Sequence, residues 1–574
     1  MTGIYYRIDI EDVLAHTLGV TVTVPAPTAL QIVSLPTWIP GSYLLREFAR
    51  HLSGLTARQG AHEVAVVQLD KASWQLRCVG GEPLVLRYRV HAFDNSVRSA
   101  FLDAQRGFFN NTSVCLRVHG GEQLPHRLAL TSLPTGWQVA TAMAAQADGW
   151  LAADYDELVD HPFELGDFWQ GAFIAAGVPH RIVVSGALPV FDGLRLLADA
   201  ARICEAQIAF WGGVIPFEGY TFLLNAVDEG YGGLEHRAST ALIAPRRDLP
   251  RLGQPETGEG YVRLLGLISH EYFHSWNVKR LKPAEFATFD YTQENYTALL
   301  WFFEGFTSYY DELMLLRAGL IDVARYLKLL ATTVSGVLAT PGRKVQSVAE
   351  SSFDAWTKYY RPDENTPNST ISYYGKGALL ALALDLRLRA ESSSLDAVMR
   401  ELWQRSAGGP LTQADIAGAV GTLGTAETAQ ALLDWVHDTA DLPLPALLEA
   451  AGVQWSTDKP TLAQRLGLRV SEAALSGVQV KQVLADSSAQ AAGFCAGDEL
   501  IACNGWRLRR LDDALLSLPP DQTALQFMVA RDQRMLALQA TLPAQDGGAA
   551  PVLLSLADKV PERAQAQRRA WLGV

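Results

Sequence analysis

Over about the first 170 residues, short segments alternate between apolar and polar positions, which is the period of a β-strand with one buried face. Glycine, proline and asparagine separate these segments, and all three favour turns. The clearest segments are VTVTVPAP, VAVVQL, WQLRCV, PLVLRYRVHAF and SVCLRVHG. The pattern predicts an N-terminal antiparallel β-sandwich that ends near residue 170.

The pattern changes after about residue 178. A strand, HRIVVSG, is followed by a long helix, a second strand, GYTFLLNAV, and then mainly helices to about residue 455. We therefore expect a small mixed sheet that leads into a helical subdomain.

One of these helices carries the most specific chemical signal of the chain. Its apolar positions have the spacing of a buried helix face: Leu264, Leu265, Leu267 and Ile268. His270 and His274 follow four residues apart, so both rings lie on one face and can reach one metal ion. Glu271 is placed to take a proton from a water at that ion. The alternative interpretation is a pair of hydrogen-bonded histidines in the core.

A catalytic zinc ion needs a third protein ligand and keeps one position open for water. The stretch ENYTALLWFFEGFTSYYDELMLL is apolar and aromatic, and Glu304 lies in its middle. A buried carboxylate is costly unless it is paired or bound to a metal, so we expect Glu304 to be the third ligand. A salt bridge to a lysine or arginine is its alternative role. The competing ligands, Asp290, Glu294 and Asp311, stand closer to polar or terminal positions.

At these residues the chain resembles a known family. The segments HEYFHSWNVKRLKP and ENYTALLWFFEGFTSYY are similar to those of the glycyl aminopeptidase family of zinc metallopeptidases, and the similarity extends over nearly the whole chain. The resemblance implies a thermolysin-like catalytic domain with one zinc ion and a glutamate ligand on a following helix. It also implies a preference for peptides that begin with a small residue, glycine or alanine.

The segment GGLEHR, from Gly232 to Arg237, is similar to the G-x-M-E-N segment of aminopeptidase N relatives, whose glutamate binds the free α-amine of the substrate. The matching residue is Glu235, although leucine and histidine stand where the relatives have methionine and asparagine. A fixed carboxylate is a suitable partner for an ammonium group. Alternatively, Glu235 pairs with Arg237 on a strand surface.

The segment YYGKG is similar to the Y-x-K-G element of the same relatives, which implies that Tyr374 donates a hydrogen bond to the developing oxyanion. A phenol suits this role because it stays protonated near neutral pH. The alternative is a packing tyrosine at the start of a helix. Lys376 does not mark a nucleotide-binding loop, because the G-x-x-x-x-G-K-[ST] spacing is absent.

Two other regions resemble known domains. WIPGSY and RGFFNNTS are similar to N-terminal signatures of the family, and turn formation and packing explain them without a chemical role. Leu466 to Leu468 and the segment GVQVKQVLADSSAQAAGFCAGDELIACNGWRL closely resemble a PDZ domain. Such a domain either captures peptide C-termini between a strand and the helix near residues 512–518 or packs against the catalytic domain.

The expected fold is therefore a multidomain α+β chain. Its predicted parts are an N-terminal β-sandwich (1–172), a thermolysin-like catalytic domain with a helical subdomain (173–457), a PDZ domain (458–545) and a C-terminal tail (546–574). A length of 574 residues, of which 49% are hydrophobic, is sufficient for several buried cores. A net charge of −13 argues against nucleic acid as a partner. The five scattered cysteines indicate neither a disulfide framework nor a cysteine metal site.

Three functions are compatible with these features. The first is a zinc aminopeptidase acting on peptides with a free N-terminus, and the second is a zinc endopeptidase whose PDZ domain delivers substrate C-termini. The third is a non-catalytic scaffold that binds peptides through the PDZ domain. No apolar stretch reaches membrane-spanning length and no secretory signal is visible, so we expect a cytoplasmic protein, or an exported one if a leader is missing.

Overall fold

The computed structural model describes residues 3–473, 477–543 and 550–573. The chain divides into two compact units, residues 1–296 with 408–410 and residues 297–407 with 411–574. Among the described helices, none is long and apolar enough to cross a membrane.

The first unit begins with a β domain of three sheets. An eight-stranded sheet has the order β14-β15-β12-β1-β2-β8-β4-β5, and two four-stranded sheets have the orders β13-β16-β10-β9 and β11-β3-β7-β6. The elements are β1 (Ile4–Asp12), β2 (Thr17–Val24), β3 (Leu30–Ser34), β4 (Leu52–Gln59), β5 (His62–Glu63), β6 (Val66–Gln68), β7 (Ser73–Arg77), β8 (Leu84–His91), β9 (Ala100–Leu102), β10 (Arg106–Asn110), β11 (Arg117–Val118), β12 (His126–Thr131), β13 (Gln138–Ala140), β14 (Ala144–Gln146), β15 (Gly149–Ala152), helix α1 (Tyr155–Val159) and β16 (Pro162–Gly166).

The alternation along the sequence becomes the burial pattern of this domain. In β1, Ile4, Tyr6 and Ile8 are buried while the residues between them are half-buried. The Tyr6 hydroxyl donates to the carbonyl of Leu116 at 2.7 Å, so even its polar end is satisfied inside the core. The strand pairs of the described domain are antiparallel, as expected, apart from β1 with β12, which are parallel.

A mixed five-stranded sheet follows, in the order β17-β18-β19-β21-β20. β18, β19 and β21 are parallel to one another, and the two outer strands run antiparallel to their neighbours. Its elements are β17 (Trp169–Ala175), β18 (Val178–Ser185), α2 (Gly193–Phe210), β19 (Tyr220–Val227), β20 (Gly232–Glu235), β21 (Ser239–Pro245) and α3 (Glu259–Phe273). β20 is an edge strand, so one side of its backbone faces away from the sheet.

The second unit is helical around α9 (Tyr373–Ala390). Most residues of this helix are buried, including the polar Lys376 and Asp385, as expected for a core helix. Its elements are α4 (Leu300–Phe303), α5 (Gly305–Arg317), α6 (Val323–Leu338), α7 (Val348–Phe353), α8 (Thr366–Ser369), α9 (Tyr373–Ala390), α10 (Leu395–Ser406), α11 (Gln413–Leu423), α12 (Ala426–His437), α13 (Leu444–Ala450) and β22 (Val453–Thr457). Short 3-10 helices across both units span Phe48–His51, Asn111–Ser113, Arg246–Asp248, Ala284–Phe286 and Pro341–Lys344.

The same unit contains the sheet predicted as a PDZ domain, in the order β23-β24-β25-β27-β28 with β26 beside β25. Its elements are α14 (Leu462–Leu466), β23 (Leu468–Ala473), β24 (Gly477–Val483), α15 (Ser488–Ala492), β25 (Glu499–Cys503), β26 (Trp506–Arg507), a 3-10 helix (Leu511–Ser517), β27 (Ala524–Arg531) and β28 (Arg534–Thr541).

The described residues after position 549 are folded against this unit. β29 (Val552–Leu556) pairs with β22, and the Val552 amide donates to the Ser335 hydroxyl at 2.8 Å. In α16 (Glu562–Leu572), the Trp571 indole donates to the Tyr309 hydroxyl at 3.1 Å. The predicted domain boundaries stay predictions, but the stretch we expected to be a tail contains a paired strand and a packed helix.

Candidate active site

The helix with the two histidines has the predicted form. α3 ends at Phe273, and His274 continues its helical backbone as the C-cap. The Nε2 atoms of His270 and His274 are 3.0 Å apart, so both rings point to one place, as the four-residue spacing predicts. Gln207, on α2, holds the helix by donating to the Ser269 carbonyl at 2.8 Å.

The orientation of the His274 ring is fixed by the backbone. Its Nδ1 lies 2.8 Å from the Asn277 carbonyl, which can only accept, so Nδ1 carries the proton. Nε2 then presents a lone pair in the neutral ring, which is the form that binds a metal. Two imidazole nitrogens arranged in this way fit a zinc ion.

Glu271 lies beside the edge strand β20. Its side chain is buried, and a Cβ added at Gly233 would overlap its carboxylate. Only glycine therefore lets the strand approach this closely. The sequence identified Gly233 as part of a motif, and the structure gives the reason for the missing side chain.

Glu235 stands at the other end of the same strand and is also buried. Carboxylate oxygens of Glu235 and Glu271 and a ring nitrogen of His274 all lie within 4.8 Å of one another. Two ionised carboxylates this close would repel each other, so a cationic group bound between them would stabilise the pair. The structure thus brings four predicted site residues of the first unit together.

The N-terminal domain contributes a residue that the sequence interpretation missed. This residue is Gly41, which has a φ of +93° and packs against the carboxylate of Glu235. The contact is so close that a Cβ at residue 41 would lie 2.5 Å from Oε1 of Glu235. The loop around it is anchored, since the Trp38 indole donates to the Asp290 carbonyl and the Thr37 amide to that of Tyr291, both at 2.8 Å. The segment WIPGSY marked this turn, but its partner is almost two hundred residues away in sequence.

A buried ionic cluster fixes the end of β20. Asp160 accepts from the Arg237 amide at 2.8 Å and pairs with the Lys279 ammonium at 3.1 Å. Burial alone would raise the pKa of Asp160, but Lys279, His236 and Arg237 together hold that pKa well below its usual value. The Arg237 side chain pairs with Asp156, so the alternative in which it neutralises Glu235 is not what the structure contains.

In the second unit, Glu304 occupies a break between α4 and α5 rather than the middle of one regular helix. Its amide still donates to Leu300 and its carbonyl still accepts from Ser308, both at 2.8 Å, so the helix direction continues through the break. The side chain is buried. Gly305 follows, and a Cβ there would lie 2.5 Å from the Cα of Gly377, so α5 and α9 touch at two glycines.

This helix contact brings Glu304 close to the first turn of α9, where Tyr374 lies. Burial first, and then the negative charge of Glu304, raise the pKa of Tyr374 well above its ordinary value. The helix is capped by Ser372, whose hydroxyl accepts from the Gly375 amide at 3.2 Å.

Lys376 is buried and donates to the carbonyls of Arg343 and Asp438 at 3.5 and 3.4 Å.

A competing ligand from the sequence has a clear structural role. Asp290 accepts from the amide and hydroxyl of Thr292 at 2.9 and 2.6 Å and from the Gln293 amide group, so it closes a turn. Glu294 accepts from the Tyr296 hydroxyl at 2.5 Å.

Models of known families match three stretches of the chain. The sequence model of the M61 glycyl aminopeptidase matches residues 263–380, that of the peptidase M61 N-terminal domain residues 5–167, and that of the PDZ domain residues 454–517. A solved structure of an aminopeptidase N family protein from Idiomarina loihiensis is 38% identical, with a TM-score of 0.93, and the match covers 99% of this chain and 100% of that chain. No curated protein matches the chain.

More distant structures are also similar. An M1 zinc metallopeptidase from Deinococcus radiodurans is 18% identical with a TM-score of 0.47, and the match covers 77% of this chain and 95% of that chain. A mutant of the Deinococcus protein, bound to a Tyr-Ser-Ala substrate, is 16% identical with the same coverage and a TM-score of 0.47.

Proposed function

The chain belongs to the M61 glycyl aminopeptidase family of metallopeptidases, and from this premise we propose that it is a zinc-dependent enzyme that removes the N-terminal residue of peptides. One zinc ion per chain would be held by His270, His274 and Glu304. Glu271 is the general base, Tyr374 the oxyanion donor and Glu235 the group that binds the α-amine. Peptides that begin with a small residue, glycine or alanine, are the proposed preferred substrates, and the name of the glycyl aminopeptidase family supports the glycine part of this preference.

The observation that carries this proposal is the cluster of Glu235, Glu271 and His274, whose ligand atoms lie within 4.8 Å of one another. A free α-amine bound by Glu235 would sit one residue from the group that activates water. An enzyme with this arrangement measures a single residue from the N-terminus, which separates an aminopeptidase from an endopeptidase.

The zinc ion, when bound, supplies a Lewis acid that polarises the scissile carbonyl and makes a water more acidic. Glu271 accepts the proton of the attacking water and passes it to the leaving amine. Tyr374 donates its hydroxyl to the oxygen that becomes negative, and its raised pKa keeps that proton in place through neutral pH. Glu235 keeps the substrate in register while the bond breaks.

Hydrolysis of glycine and alanine anilides, combined with metal analysis, tests the proposal. We expect about one zinc per chain. Glu271→Gln should lose roughly a hundredfold to ten-thousandfold in kcat with zinc retained, because it removes the base and leaves the ligands. Glu259→Gln, at an exposed position on the same helix, is the matched control. Full activity in Glu271→Gln would refute the mechanism.

The ligand role of Glu304 and the amine role of Glu235 need different readouts. Glu304→Gln should lower the affinity for zinc as well as the rate. Glu235→Ala should raise KM for free-amine substrates with zinc retained. If the wild-type enzyme cleaves acetylated peptides as well as free ones, the amine role fails and the endopeptidase alternative takes its place.

The PDZ domain makes structural contacts within its own unit. The Asn368 side chain donates to the Val483 carbonyl at 2.9 Å and accepts from the Ala485 amide at 2.8 Å. Arg469 donates to the Thr340 hydroxyl at 3.3 Å. These bonds support a packing role for the domain. Capture of peptide C-termini at β23 is the alternative, and saturable binding of a C-terminally free peptide, lost on amidation, would establish it.

A further inference from the structure

Arg98, in the N-terminal β domain, reaches the edge strand beside the candidate catalytic residues. Its guanidinium donates to the Gly233 carbonyl at 3.3 Å. It also lies 3.8 Å from the position that a Cβ at Gly232 would take. Gly233 therefore contacts Arg98 through its carbonyl and lies against the carboxylate of Glu271 as well.

The charge of Arg98 has no counter-ion among the described residues. Its side chain is half-buried, and its Nε is buried without a hydrogen-bond partner in that part of the chain. Other arginines of this unit are paired: Arg106 with Glu164 at 2.7 Å and Arg263 with Asp248 at 2.5 Å. A partly desolvated guanidinium without a carboxylate is costly, so its position favours an anionic ligand.

The order of groups along β20 indicates which end of a substrate Arg98 would meet. Glu235, the proposed amine-binding residue, is the last residue of β20. The carboxylate of Glu271 lies beside Gly233, and Arg98 lies beside Gly232, the first residue of the strand. Three residues of extended strand span about 10 Å. An extended peptide of two or three residues covers the same distance. A peptide that lay along β20 with its amine on Glu235 would therefore have its leaving-group side near Arg98.

We propose that Arg98 binds a carboxylate on the leaving-group side of the substrate, which makes short peptides with a free C-terminus the preferred substrate class. Guanidinium and carboxylate groups form charge-assisted, often bidentate, hydrogen bonds. The proposal rests on the aminopeptidase function proposed above. The carboxylate comes either from the C-terminus of a di- or tripeptide or from an acidic side chain directly after the scissile bond.

Substrate pairs that differ only in this charge test the proposal. We expect wild-type enzyme to hydrolyse glycylglycine about tenfold to a hundredfold better, in kcat/KM, than glycylglycine amide, which corresponds to one charged hydrogen bond. Glycyl-glutamate amide against glycyl-glutamine amide reports on the side-chain source. A preference in the first pair alone identifies the C-terminus, and one in the second pair alone identifies the side chain. Equal rates within both pairs would overturn the proposal.

Variants separate recognition of charge from support of β20. Arg98→Gln should lose the preference by slowing only the charged substrates, and Arg98→Lys should restore part of it. Arg127→Gln, at an exposed arginine on β12, is the control. If Arg98→Gln slows amide and acid substrates equally, Arg98 only positions the strand and the recognition role is wrong. If wild-type enzyme hydrolyses none of these free-amine peptides, the aminopeptidase function itself fails, which is a different result.

Discussion

Gly41 and Glu235 are in direct contact, although 194 positions separate them in the sequence. A Cβ at residue 41 would lie 2.5 Å from one carboxylate oxygen of Glu235 and 2.6 Å from the other. The backbone of the N-terminal domain therefore forms one wall of the proposed amine-binding pocket. The absence of a side chain at Gly41 sets the position of the carboxylate.

We predict that Gly41→Ala weakens binding of the substrate amine. The new methyl group must displace Glu235, so KM for alanine anilide should rise roughly tenfold to a hundredfold, the cost of one charged hydrogen bond. Gly81→Ala is the matched control, because Gly81 has φ of +90° but nothing within 4 Å of its Cβ position. Both variants should lose about 1–2 kcal/mol of stability from backbone strain, and only Gly41→Ala should lose affinity.

A double-mutant cycle checks that the effect passes through the carboxylate. Glu235→Asp shortens the side chain by one methylene and makes room for the methyl group. The effect of Gly41→Ala on KM should therefore be smaller in the Glu235→Asp background than in the wild type. Additive effects of the two changes would show that Gly41 acts elsewhere.

The sequence was sufficient for those features that depend on local spacing. The i, i+4 positions of His270 and His274 fix their common direction, and the strand alternation gave the β domain its buried faces. The family and its PDZ domain were also identified correctly from motifs. The break in the helix at Glu304 was not predicted, because the contact of Gly305 with Gly377 depends on how two helices cross.

The contacts that complete the site are tertiary and leave no local pattern. Arg98 and Asp160 look like ordinary surface charges in the sequence, yet one reaches Gly233 and the other fixes the backbone of Arg237. The pairing of β1 with β12 is also not predictable from local sequence. The two strands are parallel and far apart in the chain, so no hairpin turn between them marks the pair.

We predict that Tyr374→Phe lowers kcat roughly a hundredfold or more and leaves zinc bound, since loss of one oxyanion donor has an effect of this size. Tyr373→Phe is the control, because the two rings stack with centroids 4.8 Å apart and only one hydroxyl is proposed to act. A larger loss in Tyr373→Phe would transfer the role to that residue. Because its pKa is raised well above the ordinary value, Tyr374 should not lose its proton between pH 8 and 10. Any fall in kcat over that range therefore comes from another group, and the pH profile of Tyr374→Phe should have the same shape as that of the wild type.

The last prediction concerns Lys282, which lines a cavity of about 20 Å³ together with Asp156, Asp160, Arg237 and Lys279. Burial first, and then the charges of Arg237 and Lys279, lower the pKa of Lys282 from 10.5 to about 8, while Asp156 and Asp160 act in the opposite direction. Its ammonium also lies 5.6 Å from the centre of the Phe289 ring.

A lysine whose pKa is lower in the folded state destabilises the fold when it is protonated. Between pH 8 and 10.5 the unfolded chain binds more protons at this site than the folded chain does, so the contribution of Lys282 to stability improves as pH rises through that window. Below pH 8 Lys282 is protonated in both states, and the full cost of burying its charge remains.

Lys282→Met should therefore raise the melting temperature at pH 7, and its advantage over wild type should shrink steadily towards pH 10.5. Lys71→Met, at an exposed lysine of the N-terminal domain, controls for the loss of a surface charge. An advantage of Lys282→Met that stayed constant from pH 7 to 10.5 would mean that packing of the methionine, rather than relief of a buried charge, is the cause.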